Sequence, residues 1–67
     1  MNIHELTYEE RCDLLKKVGK TKVYFTKVHK RSRQRIYEAL QGNAPALWER
    51  MYEHIKLLET KEANNGN

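Results

Sequence analysis

Apolar residues recur along this chain at intervals of three and four, the spacing that lines one face of a helix. Tyr8, Leu14, Leu15 and Val18 form the first such stripe, with Arg11 at its edge. Thr7-Tyr8-Glu9-Glu10 has capping-box spacing, in which the Thr7 hydroxyl takes a backbone N–H and Glu10 reaches back to the cap. Gly19 supplies a left-handed terminator. The pattern predicts a helix over 8–18.

Lys20 to His29 is ambiguous by composition. Its Val, Tyr, Phe and Thr content favours a strand, with Lys22, Tyr24 and Thr26 alternating against Val23 and Phe25. Thr21 as a cap, with Phe25, Val28 and His29 as a short stripe, favours a helix, and helix is the reading adopted. The next segment is clearer: Ser32 is placed to cap, Gly42 lies just past the end, and Ile36, Ala39 and Leu40 share one narrow apolar side. Lys30, Arg33, Gln34, Tyr37 and Gln41 fall on the other side. Asn43 is expected to cap the last helix, with Pro45 in its first turn, where a missing N–H costs nothing. Leu47, Trp48, Met51, Tyr52, Ile55 and Leu58 make a broad stripe through it, and Leu57 lies off that stripe as a plain exposed residue or a dimer contact. The expected architecture is therefore all-α: one small four-helix domain over 1–61 and a disordered tail over 62–67.

Sixty-seven residues, 39% hydrophobic, leave room for one small core. Such cores rarely supply more than a few kcal/mol, and most chains of this size lean on a staple or a partner. One cysteine, Cys12, closes no intrachain disulfide, and no clustered Cys/His spacing offers a zinc site. Close helix packing or self-association is the expected support. The sequence has no bilayer-length apolar run and no basic-then-apolar leader at Met1–Glu5, so a cytoplasmic location is expected, in keeping with a free thiol.

Net charge is +4, which by itself says only that polyanions are plausible partners. Its distribution says more. No acid occurs from Lys16 to Tyr37, yet that stretch holds Lys16, Lys17, Lys20, Lys22, Lys27, Lys30, Arg31, Arg33 and Arg35, nine of the thirteen Lys and Arg in the chain. Solvated helix faces usually mix signs to limit self-repulsion, so this segregation points to a polyanion. Arg and Gln on the polar side of the third helix carry forked donors suited to guanine and adenine edges. Lysines and helix-start N–H groups suit phosphates.

From Thr21 to about Ile55 the chain resembles the lambda-repressor and Cro-like helix-turn-helix family. The likeness rests on Thr26 at the small position, Ser32 at the cap, Ile36 at the β-branched core position, the exit Leu40-Gln41-Gly42, and Asn43-Ala44-Pro45-Ala46-Leu47 leading into the next helix. The best stretch is SRQRIYEALQG. Lys30 stands where the family has its turn glycine, flanked by His29 and Arg31 where apolar residues are usual. A left-handed lysine costs on the order of 1 kcal/mol, so either the turn is longer or Lys30 adopts another geometry.

The resemblance implies sequence-specific binding of double-stranded DNA by a homodimer, in a small phage- or mobile-element-type regulator, most often a repressor. It implies that Ser32, Arg33, Gln34 and Tyr37 face the bases while Lys22 and Asn43 hold the backbone. Lys30 adds charge on the same side. Arg35 is expected to lie toward the buried side, its head reaching a phosphate or a carboxylate of the first helix. His29 reads as a packed turn residue, His4 and His54 as isolated, and Cys12 as a small apolar group.

Enzymatic classes lack their parts: the sequence has no Gly-rich phosphate loop, no paired metal ligands and no nucleophile–base spacing, and no metal, cofactor or small-molecule substrate is expected. Two rival readings stand beside the regulator. One keeps DNA but makes 22–28 a strand of a dimeric ribbon. The other is a helical adaptor or inhibitor that binds a host protein through its basic face or through Trp48, Met51, Tyr52 and Ile55.

Overall fold

The computed structural model describes the backbone of residues 2–65 and the side chains of residues 2–61. It is all-helical, with no strand among the described residues: a 3-10 turn Ile3–Glu5, then α1 (Tyr8–Lys17), α2 (Lys22–His29), α3 (Arg33–Gln41) and α4 (Pro45–Asn65). The segment that propensity left open is thus a helix, and the ribbon alternative falls with it. α4 is helical through Asn65, four residues past the expected domain end at 61, while residues 66 and 67 of the expected tail lie outside the described residues.

Three helices start on side-chain caps. Glu10 N–H donates to Thr7 Oγ1 at 3.1 Å, and Thr7 N–H donates to Glu10 Oε1 at 2.8 Å, which completes the capping box. Thr21 takes the Tyr24 N–H at 3.3 Å, and Ser32 takes the Arg35 N–H at 3.2 Å. α4 departs from expectation. Ala44, not Asn43, occupies the position before Pro45, and its carbonyl accepts from Trp48 N–H at 2.9 Å. The buried Ala44 methyl packs in the core, whereas Asn43 one residue earlier is exposed.

The first three helices also end alike. Lys20 N–H donates to Leu15 at 3.0 Å, Arg31 N–H to Thr26 at 3.0 Å, and Asn43 N–H to Glu38 at 2.8 Å. Each bond spans five residues and requires a left-handed residue just before the donor. Gly19 (φ 70°) and Gly42 (φ 94°) fill that place after α1 and α3. Lys30, at φ 53° and ψ 47°, fills it after α2. The expectation that lysine would escape this geometry is therefore not met. Only Lys30, Arg31 and Ser32 separate α2 from α3, and nothing but a left-handed residue closes so short a connection with the Arg31 bond.

α3 lies between its neighbours, packing on α1, α2 and α4. The core comprises Leu15 and Val18 of α1, Phe25 of α2, Ile36, Ala39 and Leu40 of α3, then Ala44, Leu47, Trp48, Met51 and Ile55. Val28, expected in the α2 stripe, is 45% exposed instead; Tyr24, Phe25 and His29 turn inward. Arg11 was expected at an edge and is 2% exposed. Its Nε donates to the Leu6 carbonyl at 3.0 Å, Nη1 to Ala39 at 2.7 Å and Nη2 to His4 at 2.9 Å, with the guanidinium carbon 4.7 Å from the Trp48 ring centroid. Burial pushes its pKa down, yet a guanidinium stays charged in proteins. The indole N–H of Trp48 donates in turn to the Ile3 carbonyl at 2.9 Å. A polar staple, absent from any cysteine count, thus joins the N-terminal segment, α1, α3 and α4.

A candidate nucleic-acid interface

The inner side of α3 is used up by Ile36, Ala39 and Leu40, all at 1% exposure or less. Helical spacing sets Gln34 about half a turn from Ile36, with Tyr37 and Arg33 between it and the buried edge at Leu40. All three are exposed, and with Lys22 and Val23 of α2 they line one shallow depression. Four residues predicted to act together are therefore brought together, around a valine that the sequence reading did not assign.

Lys22 does not swing freely. Its Nζ donates to the Tyr8 hydroxyl at 2.8 Å and lies 5.3 Å from the Tyr8 ring and 5.9 Å from the Tyr37 ring. The hydrogen bond to Tyr8 raises the Lys22 pKa above its ordinary value, against a smaller opposing effect of desolvation. Tyr8 also meets Tyr37 edge-on, with ring centroids 5.7 Å apart, which holds a ring that is 43% exposed. α1 thus braces the face through Tyr8. The stripe spacing placed Tyr8 near the core but carried no sign of this second role.

Ser32 is exposed at the start of α3, its oxygen engaged by the cap. A capping hydroxyl accepts from the backbone and keeps its own hydrogen free to donate. Among the described residues the Arg33 guanidinium has no ion pair or hydrogen bond. Arg35 departs from expectation. It points out to solvent and pairs with Glu38 of its own helix at 2.7 Å, not with the buried side or with α1. Gln34 Nε2 lies 3.4 Å from the same carboxylate. Glu38, the first acid after the basic stretch, thereby draws two of the predicted contact residues toward itself. Lys30 and Asn43 are exposed in the turns before and after α3 and do not line the depression.

Eight of the nine cations between Lys16 and Arg35 are exposed; Lys20 is half-buried, its Nζ 4.7 Å from the Tyr24 ring. The histidines fall elsewhere. His4 Nε2 lies 3.1 Å from Glu49. His54, expected to be isolated, is within 3.0 Å of the Tyr24 hydroxyl through Nε2 and within 3.4 Å of His29 Nε2 through Nδ1. Among the described residues no three His, Cys, Asp or Glu side chains converge, and no helix is long and apolar enough to cross a membrane. No family model, curated protein or solved structure matches this chain.

Proposed function

We propose that this protein binds double-stranded DNA sequence-specifically as a small transcriptional regulator, a repressor of the phage or mobile-element type, with α3 seated in the major groove. The observation that carries the reading is the shared outward face of Arg33, Gln34 and Tyr37 beside the braced Lys22. A groove about 12 Å wide admits one helix, and forked Arg and Gln donors discriminate base edges there. Ser32 and the first turn of α3 sit at the helix end nearest the bases. Lys22, Lys30 and Asn43, on the flanking elements, hold phosphates. The left-handed turn at Lys30 supports the same reading, since it gives α2 and α3 the short connection that the helix-turn-helix resemblance implies.

The working form in this reading is a cytoplasmic, non-enzymatic homodimer on two half-sites. Anisotropy titrations with a selected duplex and a random duplex, each at several salt concentrations, test it. The cognate duplex is expected to bind at least a thousandfold tighter than the random one, with affinity falling steeply as salt rises. Equal affinity for both, or no salt dependence, rejects sequence-specific binding.

The adaptor alternative loses one of its two surfaces, because Trp48, Met51 and Ile55 are fully buried. One feature still favours it: a groove between α1 and the start of α2, floored by Tyr8, Cys12, Leu15 and Val23. Protein partners that persist after nuclease treatment of a pull-down would support that reading.

A further inference from the structure

Val23 lies in the first turn of α2 and is 42% exposed, yet it sits inside the depression formed with Lys22, Arg33, Gln34 and Tyr37. Val28, on the same helix and 45% exposed, lies outside that depression. An exposed valine by itself is ordinary on a protein surface. One surrounded by the donors of a docking face is different, because docking takes its methyls out of water and favours an apolar neighbour for them. In the duplex-binding reading, on which this inference rests, that neighbour has to come from the major groove. Thymine is the one base that presents an alkyl group there, its C5 methyl; the other readable groups are hydrogen-bond donors and acceptors.

The apolar part of this face is also held in place before any ligand arrives. A β-branched valine in a helix has one strongly preferred rotamer. The Tyr37 ring that shares the depression is held edge-on by Tyr8, with centroids 5.7 Å apart. Lys22, next to Val23 in sequence, is fixed by its 2.8 Å hydrogen bond to the Tyr8 hydroxyl. Side chains already in position lose little conformational entropy on binding, so most of the gain from burying a methyl between them is kept.

We propose that Val23, backed by the Tyr37 ring, is a specificity-determining residue that receives the C5 methyl of a thymine in each half-site. The thymine lies within the base pairs that Arg33 and Gln34 span, because all three side chains line one depression. Base recognition is thereby shared between two helices: forked donors on α3 read the polar edges, and α2 contributes the apolar contact.

The test is a thymine scan of the duplex that the full chain selects from a random library. Each thymine is replaced in turn by deoxyuridine, which keeps every hydrogen-bonding group of the base and lacks only the methyl. Affinity is expected to fall about fourfold per half-site at one thymine position, the effect of one buried methyl-sized group. Val23→Ala should bind the unsubstituted duplex more weakly by about the same factor and lose its response at that position. Val28→Ala should change neither. The wild-type scan does not depend on either variant folding. A selected site without thymine, a scan in which no position responds, or a response that survives in Val23→Ala overturns the inference while leaving specific duplex binding intact. Equal binding of selected and random duplexes overturns both.

Discussion

Arg11 Nη1 donates to the carbonyl of Ala39 at 2.7 Å, across 28 residues of sequence and wholly inside the protein. Ala39 lies in the last turn of α3, where carbonyls lack helical partners and the helix dipole is negative. A guanidinium there is a second donor to a carbonyl that also accepts from Gly42 N–H at 3.3 Å, and it complements the dipole, while its other two bonds hold the N-terminal segment. Gly42 completes the arrangement: a Cβ on it would sit 3.7 Å from Arg11 Nη2, and its φ of 94° already disfavours any other residue. The helix that presents the proposed contact residues is anchored at its far end by one buried cation.

Arg11→Ala should therefore be severe. It takes a charged donor from three buried or half-buried carbonyls, of which that of Ala39 keeps the Gly42 N–H, and opens a void beside Trp48; losing such a buried charged network costs about 3–5 kcal/mol. That is about the whole stability of a core this small. Urea denaturation followed by far-UV circular dichroism should show no cooperative transition in the variant. An unchanged midpoint would show that the staple is dispensable.

Lys30→Gly should move two properties in opposite directions. Relief of the left-handed strain favours the variant by about 1 kcal/mol, partly offset by the extra freedom glycine has when unfolded. A net Tm gain of a few degrees is expected. If Lys30 holds a phosphate, the salt dependence of duplex binding falls by about one unit in log–log slope. Differential scanning calorimetry and salt-dependent anisotropy on the same sample read both.

Arg33→Ala and Lys22→Ala should separate reading from holding. Loss of a base-edge contact costs about 1–3 kcal/mol on the cognate site and relaxes preference at one base pair. Loss of Lys22 should weaken all duplexes evenly, and by more than a free lysine would, because Tyr8 fixes its position. Selection from a random duplex library with each variant measures this. An even loss with Arg33→Ala would remove that residue from base recognition.

Acid should weaken the fold through His29 and His54. Both pKa values lie below the ordinary 6.5 in the folded chain and return to it on unfolding. Between the folded and unfolded values the unfolded chain holds more protons, so stability rises with pH across that window. It is fully present above about 6.5 and is lost as pH falls through the lower folded values. Tm should decline below pH 6.5 in wild type and decline less in His54→Gln. A flat profile in wild type would contradict the lowered values.

Much of this was legible in residue order alone, because helix signals act over short range. The capping box at Thr7–Glu10, the caps at Thr21 and Ser32, the terminators Gly19 and Gly42 and the α3 stripe each depend on residues within five positions of one another. Where local signals balanced, as over 21–29, the core decided: burying Phe25 against His54 and Tyr24 requires a helix there. Arg35 was misplaced because only packing shows that the inner side of α3 is already filled, and Arg35 then finds Glu38 one turn away.

What sequence determined by itself was three of the four helices and the concentration of positive charge between Lys16 and Arg35, since backbone capping and side-chain periodicity are local and charge can be counted. The tertiary structure decided which charges remain outside. It buried Arg11 and braced Lys22 on Tyr8, and it brought His29 to His54. Each of these joins residues more than ten positions apart, and only the closing of the core, which excludes water from one face of every helix, selects among them.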